Sequence, residues 1–254
     1  MRARVTALYR HPIKGFTPEP LAHAELTAGG PFPYDRLYAV EDGPSGFDPD
    51  APAHVSKMRF TVLAKLAEVA KVRTALDEHT SLLHAEAPGY IPFEGRLDLE
   101  PDRIAFADWL AFVLGDLTQG PLRVLPAPGR HRFMDHPKGD VSILNLASLR
   151  ELSRRTGKVL DPLRFRANIL VEGWEPWAEM EWAGRMLAVG AARAQVFKPI
   201  VRCAATEVDP ATAERDFETV KAIFDTYGHT FCGLYLNVTE GGGVAVGDDV
   251  EVLA

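Results

Sequence analysis

Hydrophobic and polar positions alternate from the start of the chain. Ala3, Val5, Ala7 and Tyr9 fall on one side, and Arg4, Thr6 and Leu8 on the other, the period-two signature of a strand. Ala22, Ala24 and Leu26 predict a second strand and Leu37–Val40 a third, with a Gly29-Gly30-Pro31 turn between them. Glu41 to Pro52 reads as a loop, rich in Gly, Pro and Asp. Leu63, Leu66, Ala67 and Ala70 fit a short helix, and Val72, Thr74 and Leu76 a following strand. Pro88-Gly89 and Pro92 break the chain, so a domain junction is placed in 88–102. Phe106, Trp109, Leu110, Val113 and Leu114 form a helical stripe stopped at Gly115. Leu122 and Val124 predict a strand, and Arg130 to Gly139 a polar loop. A second helix carries Leu146, Leu149 and Leu152, with Asn145 as N-cap and Gly157 as stop. Strands are expected over Asn168–Val171 and Met186–Phe197, and a third helix over Phe217–Tyr227 up to Gly228. A β-meander, Phe231–Thr239, Val244–Val246 and Val250–Leu253, closes the chain. Strands with inserted helices, rather than regular βαβ alternation, predict a predominantly β, α+β fold or a closed barrel.

Composition narrows the function classes. The 254 residues are 46% hydrophobic and 25% charged, ordinary for a globular protein with a real core. A formal net charge of -7 argues against an exposed nucleic-acid surface, though not against a small basic pocket. No stretch approaches the ~20 apolar residues of a membrane span, and Met1–Tyr9 lacks the apolar run of a signal peptide. The two cysteines, Cys203 and Cys232, are too few for a disulfide framework or an all-cysteine metal site. A reduced, cytoplasmic protein is expected.

The chemistry concentrates in Lys198-Pro199-Ile200-Val201-Arg202-Cys203-Ala204-Ala205-Thr206-Glu207-Val208-Asp209-Pro210. An adjacent guanidinium favours thiolate over thiol, and a thiolate is what a soft metal or an electrophile needs. Free cysteine is also among the most buried residue types, so the pattern alone leaves a core role open for Cys203. Cys232 lies in register with Leu234, Leu236 and Val238 and reads as core. His131 and His136 share a loop without a third ligand at metal-binding spacing, so they read as exposed loop histidines. His229 follows a helix end, within possible reach of the site. Asp216 and Glu218 read as a solvated helix face.

The segment Arg202-Cys203-x-x-Thr206-x-Val208-Asp209-Pro210 resembles the signature of the MOSC domain, named for the C-terminal domain of molybdenum cofactor sulfurases. Tyr9–Gly15 and Asp35–Val40 resemble the family's N-terminal β-barrel domain. Phe165–Gly173 resembles its Phe-Arg-x-Asn strand, continued by Trp182-x-Gly184 and Val189-Gly190, and Val244–Val250 its ending. These segments keep the family's order across nearly the whole chain. The resemblance implies a MOSC N-terminal-like β domain at 1–95 and a MOSC barrel at 96–254, with the cofactor in the cleft between them. It implies that Cys203 is the molybdenum ligand and the catalytic residue. It also implies that Lys14, Gly15, Arg36, Arg166, Asn168, Arg202, Thr206 and Asp209 hold the molybdenum cofactor, molybdopterin, whose pterin arm ends in phosphate. The implied activity is two-electron reduction of small N-hydroxylated substrates, as in amidoxime-reducing members. The alternative is a non-redox carrier of cofactor or persulfide sulfur. Pyridoxal phosphate binding is a further family-level possibility. Two departures stand out: Gly15 replaces the serine of amidoxime-reducing members, and Ala211-Thr212-Ala213 replaces a Thr-Gly pair after Pro210. The iron–sulfur domain of some bacterial relatives is not in the sequence. A separate electron donor, a ferredoxin or a flavin- or cytochrome-type reductase, is therefore expected.

Overall fold

The computed structural model describes residues 1–253. The elements, in chain order, are β1 (Arg2–Arg10), β2 (Glu19–Leu21), β3 (His23–Leu26), β4 (Tyr38–Asp42), β5 (Arg73–Leu76), β6 (Leu82–Glu86) and β7 (Phe93–Arg96). Next come α1 (Glu100–Leu114), β8 (Leu122–Pro126), β9 (Val141–Asn145), α2 (Leu146–Thr156) and β10 (Ile169–Glu172). The last are β11 (Met186–Val189), β12 (Ala192–Val201), α3 (Thr219–Tyr227), β13 (Phe231–Glu240), β14 (Gly242–Ala245) and β15 (Asp249–Val252). The fold is thus predominantly β with three α-helices among the described residues.

The strands β10-β9-β13-β12-β11-β15-β1 form a sheet, and β1 pairs back onto β10 to close it as a seven-stranded barrel. Closure removes both free edges, the liability of any open sheet. Inside lie Val5, Ile143, Val171, Leu187, Val196 and Leu236, all essentially buried. Outside, α2 and α3 cover Leu144, Leu170 and Cys232. Cys232 is fully buried and its thiol is pushed up to about 12 by that burial, so it is a core residue as expected.

A second body packs on the barrel. It contains the β4–β8 pair, the β5-β6-β7 sheet and α1 around Phe16, Leu83, Leu97, Phe106 and Leu110. Residues 88–102, where the sequence places a domain junction, carry β7 and the first turn of α1.

Four local expectations change. The face of β1 is not continuous, because a bulge at Thr6 shifts the register between Val5 and Ala7. Ala3, Val5 and Leu8 therefore face the barrel interior, while Ala7 and Tyr9 turn toward the outer core under α2. The helix expected near Leu63–Ala70 is only a 3-10 turn, Ala67–Lys71. The stretch Met186–Phe197 is two strands, broken at Gly190, whose φ of 55° makes the turn. The closing segment is not a simple meander, because β14 leaves the barrel to pair with β3.

Candidate functional site

β12 carries the chain to the site. Its pairing with β13 is interrupted between Val196 and Lys198 and again between Pro199 and Val201. Such bulges bend a strand and re-aim the residues beyond it. The Arg202 amide then donates to the Thr230 carbonyl (2.8 Å). Cys203 lies extended at the head of a 3-10 turn, Ala204–Glu207. Thr206 fixes this corner: its amide and its hydroxyl both donate to the Cys203 carbonyl, each at 3.0 Å. Cys203 itself is half-buried.

The thiol faces a cleft of about 310 Å³ between the barrel and the second body. Lys198, Arg202, Cys203, Arg166 and Tyr235 come from the barrel side, and Lys14, Gly15, Arg36, Lys57 and Val62 from the other. Seven cationic side chains line it (Lys14, Arg36, Lys57, Arg164, Arg166, Lys198 and Arg202), against one carboxylate, Asp135. In a chain of net charge -7, that concentration makes a local anion site.

The cations are held from behind. Arg166 has a left-handed backbone (φ 52°), and its Nη1 donates to the Phe16 carbonyl (2.8 Å) while Nη2 is buried without a partner. Burial, reinforced by Arg36, lowers its pKa to about 9. Arg202 donates from Nε to the Cys232 carbonyl (2.7 Å) and from Nη1 to the Phe165 carbonyl (2.9 Å), and its Nη2 is likewise unpartnered. Room for this guanidinium requires Gly233, where an added Cβ would stand 2.9 Å from Arg202 Nη2. Arg36 is gripped by Asp35, by His11 Nδ1 at 3.2 Å and by the Arg166 carbonyl at 3.2 Å. The Lys14 ammonium donates to the Phe133 carbonyl (2.8 Å) and to Asp135. Burial drives the Lys14 pKa below the ordinary lysine value.

Lys57 was not legible in the sequence. It comes from a 3-10 turn, Lys57–Arg59, and its Nζ lies 3.5 Å from Asp135 Oδ2. Burial works against its charge, but Asp135 and the Cys203 sulfur outweigh it and raise its pKa. Asp135 bridges Lys14 and Lys57 with its side chain 46% exposed. Partial desolvation against the cleft wall favours the neutral acid, yet the two ammonium groups hold it well below the usual carboxylate range. No sequence spacing marks Lys57 or Asp135, because both sit in irregular segments brought in by tertiary packing.

The structure brings together Lys14, Gly15, Arg36, Arg166, Arg202, Cys203 and Thr206, and leaves out Asn168 and Asp209. Asn168 is buried, with its Oδ1 accepting from the Ser142 amide (3.0 Å) and hydroxyl (2.8 Å) and its Nδ2 donating to the Tyr9 carbonyl (3.2 Å). It ties β9 to β1, buried, and does not line the cleft. Asp209 accepts from Arg164 Nη2 (2.7 Å) and from the amides of Ala211 and Thr212. It therefore braces the loop behind the cleft. Asp216 is exposed, as expected, but it stands ahead of α3 and pairs with buried Arg164 (2.7 Å) and with Lys158 (2.7 Å). Those bonds bring its pKa down to about 2.

Gly15 has a structural cause. Its φ is 91°, and a Cβ there would lie 2.7 Å from the Thr61 carbonyl oxygen. The backbone of Thr61–Val62 occupies the space a serine would need. His136 lines the cleft, whereas His131 packs on Phe47 and Phe133 and His229 stacks on Phe231 away from it. Among the described residues no cluster of three or more His, Cys, Asp or Glu could hold a metal. Among the described residues no helix is long and apolar enough to cross a membrane. A metal in this cleft has one thiolate donor, Cys203, and must bring most of its remaining ligands with it.

Known proteins share this organisation. The MOSC N-terminal beta barrel domain matches residues 2–114, and the MOSC domain matches residues 130–251. Molybdenum cofactor sulfurase from Anopheles gambiae is 30% identical over 153 residues, covering 52% of this chain and 19% of that protein. The chain thus spans about one fifth of that curated relative. Among solved structures, the YuaD protein from Bacillus subtilis is 13% identical with a TM-score of 0.46, covering 99% of this chain and 96% of that one. YiiM from Geobacillus stearothermophilus is 18% identical with a TM-score of 0.39, covering 52% of this chain and 67% of that one.

Proposed function

Starting from a chain that belongs to the MOSC-domain family, an N-terminal MOSC β-barrel domain followed by a MOSC domain, we propose that it binds the molybdenum cofactor with Cys203 as the metal ligand. The observation that carries this reading is the half-buried Cys203 thiol in a cleft of seven cations and one carboxylate. The residues fit the group. Arg166 and Arg202 each keep a buried guanidinium nitrogen without a partner, and a buried unpaired donor costs about 1–3 kcal/mol until something accepts from it. A phosphate-bearing pterin answers that need, and guanidinium is suited to it. The Anopheles gambiae relative is itself a molybdenum cofactor sulfurase.

We further propose two-electron reduction of small N-hydroxylated substrates, in a cytoplasmic protein served by a separate electron donor. When bound, the cofactor supplies the two-electron redox chemistry. This chain's own residues bind and orient. Arg166, Arg202, Arg36 and Lys14 hold negative charge. Lys57 Nζ, protonated, is a donor on the thiol's wall, and Asp135, deprotonated and open to the cleft, accepts from an N–H or O–H of the substrate. The apolar wall of Val62, Leu63, Ile200 and Val201 limits water around them.

Elemental analysis tests the binding claim. Protein from a host that makes the cofactor should carry about one molybdenum per chain, and protein from a host that cannot should carry none. Cys203→Ala should lose the metal and keep the thermal midpoint of the cofactor-free wild type, since the side chain is only half-buried. Stoichiometric molybdenum in Cys203→Ala would remove the thiolate-ligand role. Amidoxime reduction by loaded protein supports the enzyme. Loaded protein without turnover points instead to a carrier of cofactor or sulfur, which the sulfurase relative keeps in view.

A further inference from the structure

One arginine joins the two walls of the cationic cleft from outside it. Val208 and Arg215 form a β-bridge, and the turn between them is closed by the Asp209 amide donating to the Glu214 carbonyl (2.8 Å) and the Ala213 amide to the Asp209 carbonyl (2.9 Å). Val208 is buried in the core of the second body. This short hairpin is therefore anchored, and the Arg215 backbone has a fixed place beside the turn that carries Cys203.

The Arg215 side chain is 35% exposed and does not line the cleft. Its Nη1 donates to the carbonyl of Ala204, the residue after Cys203, at 2.7 Å. Its Nη2 donates to the carbonyls of Leu63 (2.7 Å) and Ala64 (3.1 Å). Leu63 and Ala64 belong to one wall of the cleft, and Cys203, Ala205 and Thr206 to the other. Among the described residues this guanidinium is the one hydrogen-bonded link between the Cys203 turn and Leu63–Ala64. The Glu207 carboxylate stands 3.9 Å from Nη1, too far for a hydrogen bond. A guanidinium is a rigid planar fork, so filling both nitrogens fixes the spacing of the carbonyls they hold. A second arginine offers a contrast. Arg73, from β5, donates to the Pro210 carbonyl (2.8 Å) and ties the far end of the same hairpin, away from the thiol.

We propose that Arg215 is a positioning residue that sets the width of the cleft at the Cys203 thiol, by holding the Ala204 carbonyl at a fixed spacing from Leu63 and Ala64. That width governs how bulky a molecule can approach the sulfur. A second consequence rests on the cofactor reading above: the same clasp slows escape of a pterin held between the two walls.

The first arm of the test needs no cofactor. Cofactor-free protein is treated with N-methylmaleimide or the bulkier N-pyrenylmaleimide under native conditions, where Cys232 is sealed in the core and Cys203 reacts. Arg215→Ala should speed the pyrenyl reagent about tenfold, the weight of one charged hydrogen bond, and leave the methyl reagent nearly unchanged. Millimolar guanidinium, refilling the vacated site, should restore the slow rate, which a merely structural role would not allow. Arg215→Lys keeps the charge without the fork and should behave like the alanine variant, whereas Arg73→Ala should match the wild type. In the second arm, protein loaded in a cofactor-making host is dialysed and its molybdenum followed with time. Arg215→Ala should lose the metal about tenfold faster, again slowed by guanidinium. Equal pyrenyl rates in the wild type and Arg215→Ala, no effect of guanidinium, or the same gain in Arg73→Ala would each overturn the proposal. Unchanged molybdenum retention in Arg215→Ala would overturn the second consequence. A wild type that takes up no molybdenum would overturn the cofactor reading instead, and the maleimide rates would then decide the role of Arg215 by themselves.

Discussion

Gly15 shows how a backbone contact decides a side chain. Its left-handed φ and the Thr61 carbonyl 2.7 Å from a would-be Cβ mean that Gly15→Ser cannot simply restore a hydroxyl to the cleft. Strain of this kind costs about 1–3 kcal/mol, so Gly15→Ser should lower the urea midpoint and leave phosphate affinity no better, as denaturation and calorimetry can check. The Arg164–Asp216 pair is a second residue-scale device. Asp216 titrates near 2 in the fold, below the ordinary carboxylate value. The pair's contribution is therefore intact above about pH 4 and is lost as pH falls toward 2. Asp216→Asn should flatten that limb of a stability-against-pH curve, and an unchanged limb would deny the pair its role. At this scale the motif residues were legible, because Arg202, Cys203 and Thr206 are neighbours in sequence and line the cleft together. Lys57 and Asp135 were not, because a loop lysine and a loop aspartate look like any other solvated pair. Asn168 lies outside the cleft lining with its amide bonded to the frame, a placement its motif does not reveal.

At the scale of elements, α2 depends on one side chain at its start. Asn145 Oδ1 accepts from the Ala147 amide (3.1 Å), while its Nδ2 donates to the buried Glu179 carboxylate (2.9 Å). Burial raises the Glu179 pKa, so each donor it keeps matters. Asn145→Ala should cost about 2–3 kcal/mol, the lost cap plus a partly unsatisfied buried acid, read from chemical denaturation. The cap was visible in the sequence, as were the stops of α1, α2 and α3 at Gly115, Gly157 and Gly228. Strand β9 was not, since all five of its residues are buried and nothing alternates. That is the pattern of a strand covered on both faces and paired in parallel to β10. The bulge at Thr6 was equally hidden, because strict alternation on paper gives no sign of an extra residue.

The whole molecule carries its own pH response. His11 is fully buried, and burial, with Arg36 and Arg166 nearby, lowers its pKa to about 3. The unfolded chain takes up this proton near 6.5 and the folded chain does not. Stability should therefore be complete above about pH 6.5 and decline as pH falls toward 3, at a slope approaching about 1.4 kcal/mol per pH unit. His11→Gln should remove that slope between about pH 6 and 4, whatever its effect on absolute stability. The predominantly β class, with a closed barrel among its forms, was readable from short alternating segments, but which strands close the ring was not, because pairing across the length of the chain leaves no local trace. Arg4 pairs with both Glu172 and Asp249, so the first strand made is the keystone of a ring whose other stones come last. During synthesis most of β1 has only the short β2 beside it until β10, and last of all β15, emerge from the ribosome. Contacts of such sequence separation fold slowly and leave edges open to wrong partners meanwhile. The nascent protein is thus expected to lean on chaperones far more than the finished one.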